Sequence, residues 1–315
     1  MRTVFFGTPE FAVGVLDAIL RSGHEVAAVV TAPDKPAGRG QTLQFSEVKK
    51  YAIEKGLPVL QPEKLKNPEF VGELQNIGAD LFVVVAFRML PEVVYAMPPK
   101  GTFNVHASLL PDYRGAAPIH HAVMNGEKMT GVTTFFLNQN IDTGEIIAQR
   151  KVEIGPEMTT GELYDKLMAE GATLAVETIN SIEDGTCTPH PQPDTPGLKP
   201  APKIFKEDTL INWDAPAETI YNKIRGLSPF PCAYTRIKNS DGETLSLKCY
   251  FAKISDTKSM EKPGTITILS PKMVAVSTQT EQILLQNVQL QGKKRMEIED
   301  FLRGFHPEKF TNTLF

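Results

Sequence analysis

Apolar residues in the first part of the chain come in short, nearly unbroken runs. Thr3–Phe6, Val26–Val30, Leu81–Ala86 and Phe103–Val105 each read as a strand, most of them apolar nearly throughout. Such runs imply strands covered on both faces, and so a parallel, doubly wound sheet. The stretches between them are amphipathic. Thr8, Pro9 and Glu10 supply an N-cap, a first-turn proline and an acid near the positive end of a helix dipole. The helix they start is predicted to run to about Arg21, with Phe11, Val15, Leu16 and Ile19 on one face and Gly23 beyond its end. Further helices are expected at 46–55, 69–77, 91–96 and 117–125, another strand at Thr133–Leu137, and a long closing helix at 159–183.

The pattern then changes. Six of the 24 prolines fall between Pro189 and Pro202, which predicts an extended, poorly packed linker. Beyond it one helix is expected at 216–226. Strand-like segments follow near 233–238, 244–254, 264–269, 273–278 and 282–290, with Ser240-Asp241-Gly242 as a turn. The predicted fold is therefore α/β: a doubly wound, mostly parallel Rossmann-like sheet, then a smaller C-terminal antiparallel β-barrel (OB-like) domain. The domain limits are placed at 1–188, a linker at 189–203, and 204–315.

Composition adds bounds rather than identity. At 315 residues, 41% hydrophobic and 22% charged, the chain suits a soluble protein of two domains. No apolar run approaches the ~20 residues needed to cross a bilayer, and MRTVFFGTPEF is too short for a secretory signal. Cys187, Cys232 and Cys249 are odd in number and lack C-x-x-C spacing, which suggests neither a disulfide framework nor a zinc site. A reduced, cytoplasmic location and no membrane partner are expected. The net charge of −4 is unevenly spread, at −7 over residues 1–202 and +3 over 203–315. A weakly basic second domain is compatible with one polyanion-facing surface, and equally with an ordinary solvated one.

The chemistry-bearing candidates cluster where ligands bind in open α/β sheets, beyond the carboxyl ends of the strands. Asn104 and His106 close the fourth strand, and their i, i+2 spacing turns both to one face. An Asn amide can donate to a carbonyl oxygen gaining negative charge, and a His can do the same or move a proton near neutral pH. The pair reads equally well as a turn cap and a satisfied half-buried ring. Asp142, at the centre of Asn140-Ile141-Asp142-Thr143-Gly144, could fix the imidazole tautomer, or could simply be turn chemistry. Gly7-Thr8-Pro9 lacks the later glycines of a dinucleotide fingerprint, and neither a Walker sequence nor H-E-x-x-H occurs, so no metal is expected. His120 and His121 are adjacent and cannot chelate together from a helix. Asp34–Gln41, with Lys35 and Arg39, reads as a long loop on the same rim that could grip phosphates or a nucleic-acid strand, and equally as an ordinary solvated loop.

Taken together, FFGTPEFA (5–12), APDKPAGRG (32–40), VVVAF (83–87), FNVHASLLPDYRGAAPI (103–119), GVTTFFLNQNIDTGEII (131–147), LYDKL (163–167), APKIFKEDTLINW (201–213) and the Pro-Phe-Pro of 229–231 resemble the methionyl-tRNA formyltransferase family. The N-x-H-x-S-L-L-P element with its downstream Asp is shared by the wider group of 10-formyltetrahydrofolate transferases. The resemblance implies formyl transfer from 10-formyltetrahydrofolate, as co-substrate, to the amine of methionine on initiator tRNA, by a monomer and without a metal. It implies Asn104, His106 and Asp142 as the catalytic residues. It also implies Ser108, Leu109, Leu110 and Pro111 along the folate site, with Phe87, Arg88, Met89, Leu90, Gln139 and Asn140 around the pterin. Lys35, Arg39, Lys203, Lys206, Lys293, Lys294 and Arg295 would meet tRNA. Phe87-Arg88, where the family commonly has Tyr-Gly, departs from the pattern, as does Ala107. A glycinamide-ribonucleotide or amino-sugar formyltransferase is the nearest rival, and a non-catalytic folate- or RNA-binding protein the rival of another class.

Overall fold

The apolar runs form the strands expected of them. The computed structural model describes residues 1–37, 42–193, 196–304 and 313–315. In chain order the first part holds β1 (Arg2–Gly7), α1 (Glu10–Arg21), β2 (Glu25–Val30), β3 (Lys35–Ala37), β4 (Thr42–Gln44), α2 (Glu47–Glu54), β5 (Val59–Leu60), α3 (Pro68–Ile77), β6 (Leu81–Val85), α4 (Glu92–Tyr95) and β7 (Thr102–His106). There follow β8 (Arg114–Gly115), α5 (Pro118–Met124), β9 (Met129–Phe136), β10 (Ile146–Glu153), α6 (Thr160–Glu183) and β11 (Pro200–Ala201). Seven strands make one sheet in the order β10-β9-β7-β6-β1-β2-β5. The five from β5 to β7 are parallel, and β9 and β10 complete the edge antiparallel.

Burial on both faces explains the unbroken apolar runs. Val4, Phe6, Ala28, Val30, Phe82 and Val84 join Phe70 and Leu74 of α3 in one cluster. The alternate residues Phe5, Val29, Val83 and Phe103 are fully buried as well. Connections between parallel strands must cross the faces, and helices that do so leave the carboxyl ends of the strands free for a site.

The chain divides into two units. The first comprises Met1–Pro118, Met129–Glu153 and Tyr164–Ala201; the second comprises Ile119–Lys128, Ile154–Leu163 and Pro202–Phe315. The second unit adds α7 (Ala217–Gly226), β12 (Ala233–Lys238), β13 (Thr244–Lys258), β14 (Ile266–Ser270), β15 (Met273–Val276), β16 (Glu281–Leu290), β17 (Met296–Glu297) and α8 (Ile298–Gly304). Its strands pair antiparallel in the order β12-β13-β16-β15-β14, with β17 on β16. Irregularities in the β13–β16 register, at Cys249/Phe251, Phe251/Ala252 and Ile254/Lys258, bend the long β13, as bulges do. Its core gathers Ile220 and Ile224 of α7 with Ile237, Leu247, Val276 and Leu285. Buried Trp213 joins them and satisfies its indole by donating to Thr235 Oγ1 at 2.9 Å.

Several sequence expectations need correction. Thr8 does not cap α1: Pro9 occupies the N-cap, no side chain bonds there, and the helix begins at Glu10. Within the stretch expected to be loop, Lys35–Ala37 is a strand that pairs antiparallel with Thr42–Gln44. The strand expected at Thr133–Leu137 begins at Met129, and its partner β10 was missed. Of β10's eight residues only Ile146 and Val152 are buried, so it carries little apolar signal. The described part of the proline-rich stretch is mostly exposed, as a poorly packed linker would be, but its backbone is not free of partners. His190 exchanges two backbone hydrogen bonds with Ile146, and β11 pairs with β8. Polar proline-rich composition reports chain stiffness; it does not report backbone groups that find partners.

Candidate active site

The carboxyl end of β7 supplies the central pair. The side-chain period of two sends Asn104 and His106 to the same face. Asn104 is half-buried, and among the described residues its carboxamide has no hydrogen-bond partner. His106 is 7% exposed, and its ring meets Phe135 edge-on with centroids 6.4 Å apart. His106 Nε2 lies 2.9 Å from the carbonyl oxygen of Tyr113. A carbonyl can only accept, so Nε2 carries the proton and donates. That leaves Nδ1 as the lone-pair nitrogen of the neutral ring, and it faces Asp142 Oδ2 at 3.8 Å. The separation is within ion-pair range and beyond hydrogen-bond length.

Asp142 reaches this position through a strained turn. Asn138 Oδ1 accepts from Asn140 N–H and Thr143 Oγ1, folding the chain after β9 into an Asx-type turn. Asp142 has φ +52°, in the left-handed region, and its Oδ2 also accepts from Gly115 N–H at 2.9 Å. Gly144 must be glycine, since a Cβ there would stand 1.6 Å from Phe136 O. Among the described residues, three of the four non-glycine residues with positive φ, Ala86, Tyr113 and Asp142, follow β6, β7 and β9 at this rim. Such conformations cost ~1–3 kcal/mol each and persist where surrounding structure imposes them, typically at functional sites.

The Ser108–Pro111 segment is internally tied. Ser108 is fully buried and donates to Asp112 O, while Thr133 Oγ1 donates to Ser108 O and accepts from Leu110 N–H. Gln149 Nε2 donates to Leu110 O and to Thr133 Oγ1. Leu110 belongs to a core cluster with Phe135 and Ile146, so only Leu109 and Pro111 keep partly exposed side chains here. Around 87–90, Leu90 is buried and Phe87 packs edge-on to Phe6, whereas Met89 is 60% exposed. The Arg88 guanidinium turns away onto the carbonyls of Pro62 and Glu63, so it fixes the loop. Gln139 and Asn140 are exposed.

The basic candidates are disposed differently. Lys35 is exposed on β3, and Arg39 lies outside the described residues. Asp34 anchors the start of β3. Gln61 donates to one of its oxygens and Lys49 to the other, and these hydrogen bonds hold its carboxyl below the usual carboxylate range. Lys203 and Lys206 are exposed in the second unit, Lys203 over the ring of Phe205. Lys293 and Lys294 are exposed too. Arg295 stacks over Tyr250 at 4.3 Å and hydrogen-bonds Asn287, so it is held rather than free. His120 and His121, in the second unit, donate from Nε2 to the carbonyls of Phe230 and Pro202.

The sequence reading missed the supporting residues: Tyr113 O, Gly115 N–H, Thr133, Gln149, Arg114 and Gln192. Most act through backbone atoms or through partners remote in sequence, which leave no motif. Among the described residues no helix is long and apolar enough to cross a membrane, and no group of three or more His, Cys, Asp or Glu could hold a metal ion.

Comparison with known proteins sets this geometry in a family. Residues 1–179 match the family model described as formyl transferase, and residues 203–306 match that of the formyl transferase C-terminal domain. The chain is 50% identical over 310 residues to the methionyl-tRNA formyltransferase of Parabacteroides distasonis, covering 97% of this chain and 96% of that protein. It is 46% identical to that of Porphyromonas gingivalis, with the same coverage. Among solved structures, HypX from Aquifex aeolicus in complex with tetrahydrofolic acid aligns with a TM-score of 0.64 at 18% identity. That alignment covers 96% of this chain and 47% of HypX, so the present chain spans about half its length. The sugar 3N-formyl transferase WlaRD, with dTDP and 5-N-formyl-THF, aligns at a TM-score of 0.64 and 18% identity, over 93% of this chain and 99% of that one.

Proposed function

The chain belongs to the formyl transferase family, and from that premise we propose that it formylates the α-amine of methionine on initiator tRNA in the cytoplasm. The donor is 10-formyltetrahydrofolate, and the products are N-formylmethionyl-tRNA, used in translation initiation, and tetrahydrofolate. The observation that carries this reading is the unpartnered Asn104 amide beside an oriented His106–Asp142 pair at the end of β7. Near-full-length identity to methionyl-tRNA formyltransferases supports the tRNA acceptor over a nucleotide or sugar.

The α-amine has an ordinary pKa of about 7.7–8.0 and is partly neutral at pH 7, so it needs little activation as a nucleophile. Its nitrogen attacks the formyl carbon, and the carbonyl electron pair moves onto oxygen. Asn104, with an uncommitted N–H, donates to that oxygen; one such donor is typically worth about 3 kcal/mol. His106 Nε2–H is committed to Tyr113 O, so the ring acts through Nδ1. That atom takes the proton the amine must lose, and the Asp142 carboxylate stabilises the resulting imidazolium. The same proton is returned to the folate nitrogen as its bond to the formyl carbon breaks, so charge and atoms balance.

The backbone of Phe87–Leu90 and of Gln139–Asp142 would hold the pterin, with Leu109 and Pro111 as apolar wall. The first unit, rather than a contiguous 1–188, serves as the catalytic part, and the second unit, which holds 204–315, as the tRNA-binding part. Lys35, Lys203, Lys206, Lys293 and Lys294 meet phosphates, with Arg295 beside them. Purified protein incubated with 10-formyltetrahydrofolate and methionyl initiator tRNA yields formylmethionyl-tRNA, while free methionine stays unmodified. Absence of formylated tRNA overturns the proposal.

A further inference from the structure

Within the first unit, one side chain from the proline-rich stretch reaches the turn that carries Asp142. Half-buried Gln192 donates from Nε2 to two backbone carbonyls, Asp142 O and Gly144 O, both at 2.9 Å. Its Oε1 accepts from Arg114 Nε at 3.1 Å and from a terminal guanidinium nitrogen at 2.5 Å. A carboxamide has two N–H donors and an oxygen with two lone pairs, and all four are used. The bonding also fixes which end is nitrogen, since carbonyls cannot donate and a guanidinium cannot accept.

Both carbonyls held belong to the turn that follows the strained torsion. Asp142 has a left-handed φ, and Gly144 is pressed against Phe136 O. Arg114 precedes Gly115, whose N–H binds Asp142 Oδ2, and follows Tyr113, whose carbonyl accepts from His106. Gln192 therefore ties together two segments: 113–115, which orients the imidazole and the carboxylate, and 142–144, which delivers the carboxylate. Lys199 secures the first segment again, its carbonyl accepting from Tyr113 N–H and its N–H bonding Asp112 Oδ1.

We propose that Gln192 is a positioning residue for formyl transfer, its carboxamide clamping the turn that aims Asp142 at His106, with Arg114 holding the carboxamide in place. This rests on the catalytic reading of Asp142 given above. No close analogue can replace Gln here. Glu lacks the two donors and sets an anion against two carbonyls; Asn is one methylene shorter; Ala leaves both carbonyls and the guanidinium unpaired.

The test is steady-state kinetics of the full chain with both substrates, for Gln192→Ala, Gln192→Glu, Asp142→Asn and the Gln192→Ala/Asp142→Asn double variant. Gln192→Ala is expected to lower kcat at least tenfold while the KM for each substrate moves less than threefold, and Gln192→Glu to be no better. In the Asp142→Asn background the further loss from Gln192→Ala should be under twofold, because the carboxylate it aims is gone. A wild-type kcat for Gln192→Ala, or the same fold-loss in both backgrounds, overturns the clamp while leaving Asp142's own role standing. A wild-type kcat for Asp142→Asn removes the catalytic reading and the clamp with it. Should Gln192→Ala fold poorly, Arg114→Met probes the clamp from its other end. It should lower kcat about threefold with unchanged KM, and unchanged kcat there also overturns the proposal.

Discussion

The rim at the end of β7 and the basic positions of the second unit are built on opposite principles. At the rim nearly every polar atom has an internal partner: His106 Nε2 on Tyr113 O, Asp142 Oδ2 on Gly115 N–H, and Thr133 Oγ1 on both Ser108 and Leu110. Among the described residues the exceptions are the Asn104 amide and His106 Nδ1. In the second unit Lys203, Lys206, Lys293 and Lys294 are exposed and make no ion pair among the described residues. A preorganised cluster concentrates its free energy in a few groups whose geometry cannot vary. A scatter of solvated cations spreads it over many interchangeable ones. The two regions should therefore respond to substitution on different scales.

The largest effect belongs to the rim. His106→Ala should lower the single-turnover formylation rate by about 10³-fold, combining lost proton transfer with lost orientation of charge, and Asn104→Ala by about 10²-fold. Both should leave the apparent affinity for tRNA near its original value. Quench-flow under saturating substrates measures the rates. A loss below tenfold for either residue would mean the rim is not the concentrated site that its hydrogen bonding suggests.

The second unit should respond more weakly and in another variable. The double change Lys203→Ala/Lys206→Ala is expected to weaken tRNA binding about tenfold at moderate salt. It should also reduce the slope of log K against log salt by about two, near one for each phosphate that is no longer neutralised. The rate at saturating tRNA should change less than twofold. Binding titrations at several salt concentrations decide it, and an unchanged slope would remove these lysines from the interface.

The same contrast explains what could be read from the chain alone. Asn104 and His106 were legible because strand periodicity puts i and i+2 on one face, and both fell at a strand end where α/β sheets bind ligands. Asp142 was a candidate because a turn sequence follows a strand. Its aim was not legible, since Gly115 N–H and Gln192 approach from segments 27 and 50 residues away along the chain. What Tyr113 offers His106 is a backbone carbonyl, which any residue could supply, so no side-chain pattern marks that contact. Prolines at 189–202 suggested slack chain, but proline removes its own N–H and says nothing about His190 and Gln192 between them. β10 escaped because an edge strand can be polar on its open side. For the lysines, exposure and sign of charge were legible, whereas Arg295, held by Tyr250 and Asn287, read as one more free cation.

The smallest predicted effect separates the two units by pH. In the second unit His120 donates from Nε2 to Phe230 O, and burial of the half-covered ring lowers its pKa despite that carbonyl. The folded chain thus resists a proton that the unfolded chain accepts below its ordinary pKa of about 6.5. Stability from this residue is present above that value and declines as pH falls toward the lowered folded pKa. Trp213, the chain's one tryptophan, lies in the core of the second unit, and its fluorescence can follow that unit on heating. Between pH 7.5 and 5.5 its transition should fall by about 1 °C more in the wild type than in His120→Gln, which keeps a donor for Phe230 O but cannot titrate. Equal pH shifts in the two proteins would show that protonation of His120 is not resisted by the fold. The acid response of the second unit would then come from other groups.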